Sequence, residues 1–297
     1  MTDSSASTEG TTASTETSSR SAFARRFARH RLAVLGLIVL IAFAIATFGA
    51  DLLAPAPRGA QDLTLGPTPP SAEHWFGTDE LGRDYLSELL YAGRVSLAVG
   101  LAVAVLSTAF GTLVGTIAGY AGGIVDELVM RVTDLFLIVP AIAILALALE
   151  ALGQSTPVIV MVLAAIGWTY VARIARSQVL SLREREFVDA ARSIGASPPR
   201  IVVRHILPNL AGIIAVNMSL TVATAIIIES TLSFLGFGVQ PPSSSWGSLL
   251  STASGLVGTP EAYLLYFPGL LILTTVLAVN FVGDGLRDAL DPQGKNL

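Results

Sequence analysis

Glu229 stands at the end of an apolar run, following Ala-Ile-Ile-Ile and preceding Ser-Thr-Leu-Ser-Phe. An ionisable group beside such a run is a candidate for solute contact or gating, because a carboxylate is costly to hold in an apolar medium without a partner. The competing reading is a structural carboxylate paired at a helix end. Asn217 and Asn280 are the neutral candidates, of a type that bonds between neighbouring helices. Enzyme chemistry finds no such foothold. His30, His74 and His205 are scattered without metal-ligand spacing, cysteine is absent, and no Gly-x-Ser-x-Gly elbow occurs. A phosphate-binding loop needs a Gly-rich turn ending in Lys-Ser or Lys-Thr. The single lysine, Lys295, is followed by Asn. The chain is therefore expected to be no enzyme and to bind no metal, cofactor or nucleic acid. It carries no ATP-binding loop of this kind.

These residues need elements to hold them. Of the 297 residues, 52% are hydrophobic and 13% charged, too few charges for a typical soluble surface. A bilayer core of about 30 Å takes about 20 apolar residues as helix. Uncharged runs occur at Leu32–Ala50, Val95–Val125, Leu135–Leu149, Ala151–Ala172, Ile206–Ile228 and Ala262–Gly283. They are apolar on all sides, as membrane helices are and amphipathic soluble helices are not. The expected fold is an all-α membrane protein with six transmembrane helices. With the N-terminus in the cytoplasm, fifteen of the 18 cations lie on the cytoplasmic side, and only Arg58, Arg83 and Arg94 lie outside. That asymmetry predicts both termini to be cytoplasmic in a multi-pass membrane protein.

Twelve of the first 20 residues are Ser or Thr, which predicts a disordered tail over 1–30. Leu32–Ala50 is longer than a secretory h-region and reads as a retained helix. The external segment closes with an amphipathic stretch, Asp84–Arg94, of a kind that rests on a membrane surface. Gly111, Gly115 and Gly119 recur every four residues, the spacing that lets another helix approach closely. Asp134 is spaced to pair with Arg131, and Asp284 with Arg287.

Between the fourth and fifth runs lies "EFVDAARSIGASPPRIVVRHILPN" (186–209). Phe187, Ala190, Ala191 and Ile194 form one helical stripe. Gly195 is placed to stop that helix in the left-handed region, and Ser197 and Pro198 to start a second short one. A plain connection between helices needs about 2–8 residues. This longer, structured one reads as a docking surface for a cytoplasmic partner, or as an amphipathic loop on lipid headgroups.

The segment resembles the EAA loop of permease subunits of ATP-binding-cassette importers. Asp189-Ala190-Ala191, Gly195 and Leu207-Pro208 keep its register, with Asp189 in place of the usual Glu and His205 where Ile is frequent. "FGTDELGRDYLSELLYAGRVSL" (76–97), "ESTLSFLGFGVQPPSSSWGSLL" (229–250) and "FPGLLILTTVLAVNFVGDGLRDALDP" (267–292) are similar to the dipeptide, oligopeptide and nickel branch of that family. The resemblance implies a type I importer core preceded by one N-terminal helix, in a prokaryotic plasma membrane. It implies a second similar permease, two ATPase subunits and an extracytoplasmic solute-binding protein as partners, with membrane lipid around them. It implies that Glu186, Phe187, Asp189, Ala190, Ala191, Gly195 and Pro208 couple the chain to the ATPases. On this reading, 31–92 holds the first helix and the external segment. The core is 93–288, with spans near 95–120, 131–152, 156–175, 207–229 and 262–283, a coupling loop at 176–206 and a tail at 289–297. The alternative is a transporter or channel driven by an ion gradient, which places acids mid-span and needs no docking loop.

Overall fold

A computed structural model describes residues 23–290. The tail residues 1–22 and 291–297, with Arg20 and Lys295, lie outside the described residues. The described chain is nearly all helix and contains no strand. Its long helices are α1 (Arg31–Phe48), α2 (Tyr85–Ala121), α3 (Gly123–Ile138), α4 (Ala141–Leu152) and α5 (Thr156–Leu182). The short α6 (Glu186–Ser193) and α7 (Pro198–Ile201) follow, then α8 (Leu207–Phe234), α9 (Trp246–Thr252) and α10 (Tyr263–Leu290). Five helical stretches are long and apolar enough to span a bilayer, or six when α3 and α4 count as one broken span.

At 37 residues α2 is about 55 Å long, longer than the hydrocarbon core it crosses. It is the hub of the bundle and packs against α1, α5, α8 and α9. Asp84 starts it by accepting the Ser87 N–H at 2.8 Å. The stretch 84–94 is thus no separate surface helix. It is the first part of α2, because Tyr85, Leu89 and Ala92 bury against Trp246, Leu249 and Leu264 rather than lipid. Farther along, the glycine series faces α5. A Cβ on Gly111 would lie 2.6 Å from the Trp168 carbonyl oxygen, and one on Gly119 2.9 Å from that of Arg176. Gly115 approaches the Ala172 carbonyl more closely still. The two backbones cross with no room for side chains between them.

The single helix expected over 131–152 is two helices at 87°. Pro140 is the cause. It has no N–H, its ring excludes the carbonyl one turn back, and it drives the preceding Val139 to extended geometry (φ −84°, ψ 139°). The helix before the break begins earlier than expected, at Gly123. The expected end of α5 at 175 also moves, to Leu182, because arginines mark where a helix leaves the bilayer without terminating it. The bundle therefore has two ends. One carries α6, α7 and the start of α1; the other carries α9 and the external segment. Residues 23–29, expected within the disordered tail, are helical.

Candidate docking surface and buried carboxylate

The α6 end is built on one small apolar cluster. Val188 and Ala191 of α6 pack with Val179 of α5, Ile201 of α7 and Ile206 and Leu210 at the start of α8. Val188 is fully buried and Ala191 is 5% exposed, whereas Phe187 is 40% and Ile194 85% exposed. Ala190 is also exposed. The predicted stripe therefore splits, leaving Phe187, Ala190 and Ile194 free. Ala191 belongs to the opposite, inward stripe with Val188, three residues earlier. Periodicity alone fits both stripes; the apolar floor contributed by α5 and α8 decides between them. Val188 lies outside the predicted stripe, and its i, i+3 spacing from Ala191 is the sequence signal for the inward one.

Gly195 ends α6 at φ +79°. Its N–H donates to the Arg192 carbonyl at 2.9 Å, and the Ala196 N–H to the Ala191 carbonyl at 3.0 Å. This paired closure needs a left-handed residue, which glycine adopts without a Cβ penalty. A Cβ there would meet nothing within 4 Å among the described residues, so the constraint is conformational. Ser197 precedes α7 but makes no side-chain cap. Nor does α7 stand alone as a second short helix. It runs through a wider π-type turn, Val202–Ile206, into α8. Pro208 lies just beyond that turn, where the missing N–H and bulky ring are accommodated by the loosened helix. Phe187 stands beside His205, with ring centroids 6.4 Å apart. Glu186 and Asp189 occupy the first turn of α6, and Asp189 accepts from Arg192 at 3.0 Å.

Arginines of α5 fasten this end to the neighbouring helices. Arg173 reaches Asp134 at 2.6 Å, and Arg176 binds both carboxylate oxygens of Asp126. Arg183 donates to the Gly119 carbonyl at 2.9 Å. Asp134 therefore pairs across helices and not with Arg131, whose partner is Glu127 at 3.7 Å. Asp284 and Arg287 make no ion pair among the described residues. In each case tertiary packing brings a better-placed partner, or none, to a pair that local spacing allows.

At the other end Glu229 is 1% exposed. Its Oε1 accepts the Ser233 hydroxyl at 2.8 Å. Its Oε2 and the neighbouring Ser230 hydroxyl have no hydrogen-bond partner among the described residues. Ser233 lies 3.4 Å from Ser245, which caps α9 by accepting the Ser248 N–H at 3.1 Å. Glu229 is thus enclosed at the α8–α9 junction. Asn217 donates to the Ile213 carbonyl of its own helix at 2.7 Å, and Asn280 makes no hydrogen bond among the described residues. Neither bonds across α8 and α10. That crossing is made instead where a Cβ on Gly283 would lie 2.5 Å from the Ser219 hydroxyl.

Residues 111–295 match the family described as "Binding-protein-dependent transport system inner membrane component". The chain belongs to this family of transport permeases. Residues 20–70 of this permease also match the N-terminal TM domain of oligopeptide transport permease C. The dipeptide transport system permease protein DppC of Bacillus subtilis (strain 168) is 39% identical over 269 residues, 91% of this permease and 84% of that relative. The oligopeptide transport system permease protein OppC of Escherichia coli (strain K12) is 43% identical over 273 residues, 91% and 90% of the two chains. A chain of the inward-facing MetNI methionine ABC transporter matches with a TM-score of 0.54 over 70% of this permease and 98% of that chain, at 20% identity. That last likeness concerns the fold alone. Family membership decides between the two readings left open by the sequence, in favour of the importer permease over the gradient-driven transporter.

Proposed function

We propose that this permease pairs with a second, similar permease to form the path for di- or oligopeptides through a prokaryotic plasma membrane. Two separate ATPase subunits bind and hydrolyse the ATP, and an extracytoplasmic solute-binding protein delivers the solute. The peptide assignment is supported by the transport roles in the names of the DppC and OppC relatives. The α6 end, with both chain termini, faces the cytoplasm, in keeping with the arginine asymmetry. The observation that carries the coupling role is the two-sided build of α6. Val188 and Ala191 seat it on its own protein, while Phe187, Ala190 and Ile194 present an apolar, small-centred face outward. Glu186, Asp189 and Arg192 ring that face with charges. The continuity of α7 with α8 then carries displacement of the docked segment into a spanning helix. Alternating access follows from differential contacts in the ATP-closed and reset states.

Glu229 is assigned a gating role by position. Opening α8 against α9 would rehydrate an acid that is enclosed here, so the acid favours the open junction and the packing of α8 on α9 must offset its desolvation in the closed one. Asn217 and Asn280 are retained as path candidates on α8 and α10. The coupling role is tested with the complex in liposomes, measuring solute uptake and solute-stimulated ATPase together. Ala190→Asp places a charge on the exposed face without entering the core. It should sever stimulation from uptake while the permease stays folded. Wild-type coupling in Ala190→Asp and Ile194→Asp would refute the assignment.

A further inference from the structure

His30 makes an elbow between the helical residues 23–29 and α1. Its backbone is extended there (φ −82°, ψ 91°), and its Nδ1 accepts the Ala33 N–H at 3.1 Å. Its Nε2 lies 3.6 Å from Asp288 of α10. Phe23 and Phe27, one turn apart, stack with centroids 6.4 Å apart. Phe27 reaches α10, where a Cβ on Gly285 would come within 3.1 Å of its ring. The aromatic side of the segment is therefore held by protein.

Arg25 and Arg29 are also one turn apart but two residues out of phase with the phenylalanines, which puts them on the opposite side of the helix. Both are exposed, as is Arg31 at the first position of α1, and the three form no ion pair among the described residues. Directly beyond them α1 shows Leu32, Leu35 and Ile38 outward, each at least half exposed, as a lipid-facing helix does. The cations therefore stand at the level where the apolar span begins. The guanidinium fork matches two phosphate oxygens, and basic side chains at the boundary of a span attract anionic headgroups.

We infer that Arg25, Arg29 and Arg31 form a binding surface for the phosphate headgroups of anionic membrane lipids, held in place by the Phe27 and His30 contacts with α10. This surface depends on α1 spanning the membrane and not on which solute is carried. The test uses the assembled transporter in detergent with mixed phosphatidylglycerol and phosphatidylcholine, with retained lipids counted by native mass spectrometry. Wild type should retain phosphatidylglycerol in excess, and the excess should fall as salt rises. Arg25→Gln/Arg29→Gln/Arg31→Gln should reduce it by at least about tenfold, given the usual effect of each juxtamembrane cation. The corresponding triple lysine variant should keep most of it. Should the triple glutamine variant fail to assemble, Arg25→Gln alone should still lower the excess by about fivefold. An unchanged excess in the glutamine variants, or none in wild type, would overturn the inference. So would loss of the ATPase subunits with lipid retention intact, which would assign these cations to a protein partner.

Discussion

At the α9 end, Trp246 donates its backbone N–H to the Ser96 hydroxyl at 3.0 Å and its indole N–H to the Leu89 carbonyl at 2.9 Å. Tyr85 donates to the Leu264 carbonyl at 2.5 Å, and Tyr263 lies 2.6 Å from the Thr78 carbonyl and 2.8 Å from that of Thr68. Asp84 holds His74 at 2.9 Å while capping α2. Those of Trp246, Tyr85 and Tyr263 join segments far apart in sequence, and most are shielded from water. At the α6 end the seat of the short helix is a patch of Val, Ile, Leu and Ala, and its own ion pair, Asp189–Arg192, is exposed. Buried directional bonds define one geometry, because leaving any of them unmade strands a polar group. A small apolar seat tolerates shifts. The difference sets an end clamped by buried directional bonds against a short helix, α6, seated by apolar contacts.

The strongest test of the clamped end removes its anchor. Trp246→Ala deletes a side chain that is 1% exposed and packed against Gly93. It should cost about 3–5 kcal/mol, read as loss of monodisperse complex and a lower unfolding temperature in detergent. Next is Gly115→Leu, which forces side-chain bulk into the α2–α5 crossing. A cost of about 1–3 kcal/mol or more is expected, with reduced complex yield on a sizing column. Normal yield would mean that α2 and α5 separate without consequence.

The α6 end should respond differently. A Cβ at Gly195 meets no described atom within 4 Å, so the expected cost of Gly195→Val is that of the left-handed backbone, about 1–2 kcal/mol. That cost is local to the bend. The spanning helices should remain folded while solute-stimulated ATPase is lost. A large fall in global unfolding temperature would show that this end is as tightly joined to the bundle as the other. Smallest in stability is Ile194→Ser, within about 0.5 kcal/mol because the side chain is exposed. It should nevertheless reduce co-purification of the ATPase subunits. Ala191→Asp, by contrast, buries a charge in the apolar seat and should release α6 from the bundle rather than only weaken docking. Protease sensitivity confined to 183–206 would report that release.

Glu229 sharpens the same contrast from the clamped side. Glu229→Gln preserves an acceptor for Ser233 and should leave assembly intact while altering uptake. Glu229→Leu strands the Ser233 hydroxyl and should lower stability as well. Equal uptake in Glu229→Gln and wild type would remove the residue from the gate.

What the sequence determined by itself was local or periodic. The apolar runs announced the long helices, since a helix in lipid must satisfy its backbone internally whatever surrounds it. The glycine repeat on α2 announced a close crossing, and Gly195 a left-handed stop, because both follow from the absence of a Cβ. Tertiary structure alone decided the choices among residues that local rules treat alike. It turned Val188 and Ala191 inward and left Phe187, Ala190 and Ile194 outside, because the floor beneath α6 comes from α5 and α8. It gave Asp134 to Arg173 in place of Arg131, and enclosed Glu229 beneath α9. Burial and pairing depend on atoms brought together from distant parts of the chain, and one-dimensional spacing carries no record of them.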